Sequence, residues 1–395
     1  MRLAGGRTIR RMRRVLKKFW HPGALVAAVV MSGCATGLRP ATTLAPAVSR
    51  PAVPAKVPEL SPVAPAAPLE PIPVVAPPAT ATNPAPVLAP ALPPATAAWP
   101  SNWVNAWIPL ESWAQFNGLP KPKQLTAGLD AAYQIATSQG GALLRMGSHT
   151  LRFGGLDFRL GFAPKLIKGL PYLHAVDARK TLQPLLGPAW RLPGTNRVIV
   201  IDAGHGGKDS GTKNAINNEF EKFYTLDWAR RLGQLLTARG WTVIQTRTND
   251  LALTLSNRVA IAEQAKADLF ISLHFNHGPG NGELGGVETY CLAPTGMPSS
   301  LDRGFGDDTR EWHPNNAFDE QNFRLATALH RAVLGATGAA DRAVCRARFL
   351  GVLRGQHRPA VLIEGGYLSN PAEARKIATS TYRQTLAEGV AKALE

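Results

Sequence analysis

Residues 197–212 read RVIVIDAGHGGKDSGT, an apolar run that ends at an aspartate and breaks at once into glycines around a histidine. Four consecutive β-branched residues with no polar alternation describe a strand covered on both faces. WTVIQTR (241–247), DLFISLH (268–274) and PAVLIEGGY (359–367) read the same way. Between them, amphipathic spacing predicts helices over about 218–239, 256–267 and 320–335. Buried strands alternating with such helices predict an α/β fold, with a mainly parallel sheet sandwiched by helices over residues 196–395. Sites in such sheets gather just beyond the carboxyl ends of the strands.

Upstream, residues 99–190 change character. WVNAWIPLE, GALLRMGSHTLRFGG and LDFRLGF are short alternating runs punctuated by Gly and Pro. They predict a small α+β module, with short helices around 112–116 and 175–185. The pattern resembles the stalk module of copper amine oxidases and several bacterial wall enzymes, which implies wall binding or spacing; a plain folding module is the alternative. His149 and His174 lie here without partners at metal spacing, and structural roles are expected for both.

The first 98 residues carry no such periodicity. Eight of the chain's 17 net positive charges lie in residues 1–33, which hold no acid, so nine remain for the rest. No aromatic-and-basic module accompanies that charge, and nucleic acid is not an expected partner. A basic start and a short apolar run, ALVAAVVMSG (24–33), describe an export signal too short to span a bilayer as a mature helix. Met31-Ser32-Gly33-Cys34 resembles the bacterial lipobox. That implies lipid modification of Cys34 and a membrane anchor, with an ordinary signal peptide as the alternative. MRRVLKKF (12–19) partly resembles a twin-arginine signal, and the ordinary export route stays open. Residues 34–98 are rich in Pro, Ala and Val, and predict a disordered or semi-rigid linker. At ~3.1 Å per residue it would reach on the order of 200 Å.

The candidate chemistry lies in 196–395. His205 follows the first strand, His274 closes the third, and Glu364 ends an apolar run where a carboxylate is costly unless used or paired. Glu221 begins the first long helix. Two imidazoles and one carboxylate are a common catalytic zinc set that leaves a fourth position for water. Each residue alone has an ordinary alternative: a structural histidine, or a helix-start carboxylate favoured by the dipole. Phosphate binding by the glycines fails, because Asp209 breaks both GxGxxG and the P-loop pattern. Cys34, Cys291 and Cys345 form no CxxC; pairing of the last two stays open.

Six segments in order resemble the zinc-dependent N-acetylmuramoyl-L-alanine amidases: IDAGHGGKDSGT, FEKFYTLDWARRL, LSNRVAIAEQAKADLFISLHFNH, GGVETYCL, FLGVLR and PAVLIEGGYLSNPAEARKI. The resemblance implies Zn2+ held by His205, Glu221 and His274, with Glu364 as general base and acid. It implies peptidoglycan as substrate, cut between N-acetylmuramic acid and L-alanine; together with the lipobox-like Cys34 it implies a periplasmic place in the cell envelope, anchored at the outer membrane. Asn276 falls on a position implied to touch substrate, and Glu219 is a nearby decoy for Glu221. His277, Gly365 and Tyr367 depart from the family pattern. Related amidases carry an insertion near residues 293–319 that an activator protein displaces. By that likeness Asp307, Asp308 or Glu311 would cap the metal; an uninvolved surface loop is the alternative. A catalytically inactive peptidoglycan-binding lipoprotein is the competing reading of the whole chain.

Overall fold

Strand-forming runs between glycine and proline breaks give residues 107–174 eight short strands. They are β1 (Trp107–Pro109), β2 (Lys123–Thr126), β3 (Ala132–Thr137), β4 (Gly140–Arg145), β5 (Thr150–Phe153), β6 (Leu156–Arg159), β7 (Lys165–Ile167) and β8 (Leu170–His174). The computed structural model describes residues 99–103, 106–192, 196–280, 282–301 and 307–395. The expected export signal, Cys34 and the linker lie outside the described residues. β1, β8 and β7 form one small sheet. β2 to β6 form an antiparallel meander, each strand paired with the next.

The four apolar runs of the second half become β9 (Val198–Ala203), β10 (Thr242–Gln245), β11 (Leu269–Asn276) and β14 (Ala360–Tyr367), and two strands that apolarity did not mark, β12 (Val287–Cys291) and β13 (Asp341–Arg346), lie between β11 and β14 in the chain. β10, β9, β11 and β14 are parallel neighbours in that order. β12 then runs antiparallel to β14, and β13 parallel to β12. Both faces of β9, β11 and β14 are covered, which is why these three are almost continuously apolar. Ile199, Ile201, Leu269, Ile271, Leu273, Val361 and Ile363 pack with the helices Glu221–Ala238, Asp319–Thr337 and Ser380–Ala393 on one face. Val200, Phe270, Ala360 and Leu362 point the other way, towards Ala262 of the helix Leu255–Gln264 and towards Val352 and Leu353.

The meander joins this sheet. β6 pairs parallel with β13 at Val344 and Phe158, so eleven strands run in the order β10-β9-β11-β14-β12-β13-β6-β5-β4-β3-β2. The result is a mixed sheet flanked by helices, with the mainly parallel part in 196–395. One core crosses the junction: the Phe158 ring lies 5.6 Å from that of Phe323.

Cys291 and Cys345 are both free and buried. β12 and β13 pair Tyr290 with Cys345 and Cys291 with Arg346, so the two thiols sit one residue out of register and on opposite faces. That offset leaves them unpaired. Burial pushes the Cys291 thiol up to about 11, which keeps it inert.

Candidate metal centre

His205, Glu221 and His274 come from three separate elements and converge. One ligand atom from each lies within 4.8 Å of the others, the only such group of three among the described residues. His205 Nε2 is 3.1 Å from Glu221 Oε2, and His274 Nδ1 is 3.0 Å from Glu221 Oε1. Glu221 is almost fully buried at the first turn of its helix, where its carboxylate also accepts from the N–H groups of Thr212 and Phe275, each at 3.0 Å. Burial alone would raise its pKa. The two imidazoles outweigh burial and hold the carboxyl well below the usual range. Burial likewise opposes charge on His205, yet Glu221 and then Asp209 push its pKa up to about 10.

The loop carrying His205 is tightly fastened. His205 itself has φ +59°, the left-handed region, so its imidazole leaves the strand at an angle set by the backbone. Its Nδ1 lies 2.8 Å from Asp209 Oδ1, which turns Nε2 inward. Gly206 and Asp209 bond each other's backbone to close the turn. Two buried arginines bind the carbonyls beneath. Arg247 reaches Ala203, Gly204 and Lys222, and Arg258 reaches Ala203 and His205. Arg258 also pairs with buried Asp202. A Cβ on Gly204 would overlap the His274 ring, and one on Gly211 would lie 2.5 Å from Glu221 Oε2. These glycines leave room for the ligand side chains.

Glu364 stands across from His274 in the parallel register of β11 and β14. Neighbouring strands are about 4.8 Å apart, so its side chain starts one strand spacing from that of His274. Asn276 donates to Glu288 at 2.9 Å and accepts from the His277 N–H. His277 Nδ1 lies 3.0 Å from Thr212 Oγ1, which puts that ring at the cluster's edge. Glu219 is exposed and outside the group. Asp307 bonds Ser299 and Arg348, Asp308 pairs with Arg310, and Glu311 lies near His313; none joins the cluster. His149 bonds the Leu160 carbonyl, and His174 accepts from Val176 and stacks on Phe162.

Sequence patterns did not single out Arg247, Arg258, Asp202 or Glu288. The last had a readable signal, a carboxylate inside the apolar run VETYC.

The donor set suits a divalent metal. Two imidazoles and a carboxylate meet within coordination range, and the outer nitrogen of His205 is held by a carboxylate, a common support for a ligating histidine. The fold and site thus define an α/β protein with a His–Glu–His cluster fit for metal. Residues 199–395 match the family N-acetylmuramoyl-L-alanine amidase. The sporulation-specific N-acetylmuramoyl-L-alanine amidase of Bacillus subtilis is 33% identical over 199 residues, 50% of this chain and 66% of that one. N-acetylmuramoyl-L-alanine amidase AmiC of Escherichia coli is 30% identical over 269 residues, 58% of this chain and 64% of that one. The uncharacterized protein YqiI of Bacillus subtilis is 30% identical over 215 residues, 54% of this chain and 90% of that one. The chain belongs to the N-acetylmuramoyl-L-alanine amidase family. It spans just under two thirds of the first two of these relatives.

Proposed function

We propose that the chain hydrolyses the amide bond between N-acetylmuramic acid and L-alanine in peptidoglycan, with Zn2+ held by His205, Glu221 and His274. The observation that carries this reading is the meeting of those three side chains, with Glu364 in register opposite His274 on the next strand, in a member of this family. A bound zinc ion supplies Lewis acidity at the carbonyl and lowers the pKa of water towards about 7. Glu364 takes the proton of the attacking water and passes it to the departing amine of L-alanine. Water adds across the amide, leaving the lactyl group as a carboxylate and the stem peptide with a free N-terminus. His205, Glu221 and His274 keep their geometry because Asp209, Arg247, Arg258 and two backbone N–H groups hold them from behind.

The export signal, the lipidated Cys34 and the Pro/Ala linker would tether this domain in the envelope, on the periplasmic side and anchored at the outer membrane. The module at 99–190 would bind or space the wall, and an activator protein is a further expected partner. None of the described helices is long and apolar enough to cross a membrane, and the lipid at Cys34 supplies the anchor in this reading. Incubation with purified sacculi tests the activity. Intact stem peptides beginning with L-alanine support it, internal peptide fragments indicate a peptidase, and no release indicates an inactive wall-binding protein.

A further inference from the structure

β11, β14, β12 and β13 are consecutive in the sheet, and their ends on the side of the metal cluster meet at one buried carboxylate. Glu288 on β12 is 6% exposed. It accepts from Asn276 Nδ2 at the end of β11 (2.9 Å) and from Tyr367 Oη at the end of β14 (2.8 Å). It also accepts from Tyr290 Oη on its own strand (2.7 Å) and from Arg342 Nε at the start of β13 (3.2 Å). Four donors from four strands saturate it. Burial raises both tyrosine hydroxyls, so they remain donors.

Glu288 is also the direct cross-strand partner of Glu364 in the antiparallel pair β12 and β14. Residues directly opposite have Cβ atoms about 4.5–5.5 Å apart on the same face, and like charges there are unfavourable. A sheet built only for stability would not place a second carboxylate at that position.

We propose that Glu288 is a positioning residue for the hydrolytic site, fixing the ends of β11 and β14 and so the direction of the Glu364 carboxyl towards the cluster. This rests on the role given to Glu364 above. It acts through Glu364 and Asn276 and does not itself touch the reacting atoms.

The test uses the full chain with zinc bound, with stem-peptide release from sacculi and from a soluble muropeptide as readouts. Glu288→Gln removes the charge and turns one acceptor into a donor. The expected result is a fall in kcat of ~10–100-fold, a KM within about 3-fold of the parent, and unchanged zinc affinity in chelator competition. Tyr367→Phe removes one of the four donors, should fold as the parent does, and should lower kcat by a smaller factor. The double variant should be no slower than Glu288→Gln alone, because both act through one network. A folded Glu288→Gln protein with parental kcat would overturn the proposal. So would independent effects of the two substitutions, or loss of zinc and of thermal stability in step with activity. A parent enzyme that frees no peptide would instead remove the functional reading itself, and the proposal with it.

Discussion

His205 and Asp209 are joined side chain to side chain, Nδ1 to Oδ1 at 2.8 Å, within a turn closed by the Gly206–Asp209 backbone bonds. The contact fixes which imidazole nitrogen faces Glu221 and His274. Asp209 is largely exposed, with 63% of its side chain accessible, so its removal should spare the fold. Asp209→Ala is expected to weaken zinc binding by ~10–100-fold, measured by competition with a coloured chelator, while the melting temperature of the metal-free protein stays near that of the parent.

Glu221 has two duties, and its substitution should separate from that of Asp209. Beyond the imidazoles it receives the N–H groups of Thr212 and Phe275. Glu221→Ala should abolish stoichiometric zinc binding, and each unmet buried N–H should cost about 1–3 kcal/mol. Metal analysis and urea unfolding of the same preparation check both effects. Retained stability would show that the carboxylate does not tie the segment at Thr212 to β11.

Much of this arrangement was legible in the sequence, for a physical reason. Strands buried on both faces have no polar alternation, so 198–203, 269–276 and 360–367 announce themselves, and His205, His274 and Glu364 stand out against them, although β11 and β14 run on past His274 and Glu364 to Asn276 and Tyr367. Helix bounds shifted by a few residues: the structure has Glu221–Ala238 where spacing predicted about 218–239. The direction of β12 was not readable, because strand polarity depends on a connection rather than on composition. Neither was the continuity of the sheet across 99–190, which depends on one backbone pairing, Val344 with Phe158. Arg247 and Arg258 were hidden because each binds main-chain carbonyls, a role that leaves no side-chain pattern.

Asp202 should govern part of the acid limb of stability. Burial alone would raise its pKa, but Arg258, Thr246 and Ser272 together hold the carboxyl below its usual range. A depressed folded value means that its contribution is complete above about pH 4, the unfolded carboxyl's value, and is lost as pH falls through the folded one. Asp202→Asn leaves Arg258 buried with a neutral partner, and should cost about 3–5 kcal/mol at neutral pH. It should also flatten the stability curve below pH 4. Urea unfolding at stepped pH values from 7 to 2 reads both.

Gly204 tests the clearance around His274. An added methyl would overlap the ring. Gly204→Ala is expected to destabilise the fold by about 1–3 kcal/mol and to displace the imidazole, lowering zinc affinity. Wild-type affinity in that variant would mean that His274 is not held where the ion binds.

The proposed hydrolysis requires a single metal centre formed by His205, Glu221 and His274. Anomalous diffraction at the zinc absorption edge, from crystals grown with stoichiometric zinc, tests it most directly. One strong peak is expected, about 2.0–2.2 Å from an imidazole nitrogen of each histidine and from a Glu221 oxygen. A peak held by other residues, or none at this cluster in crystals of an active, zinc-loaded protein, would contradict it.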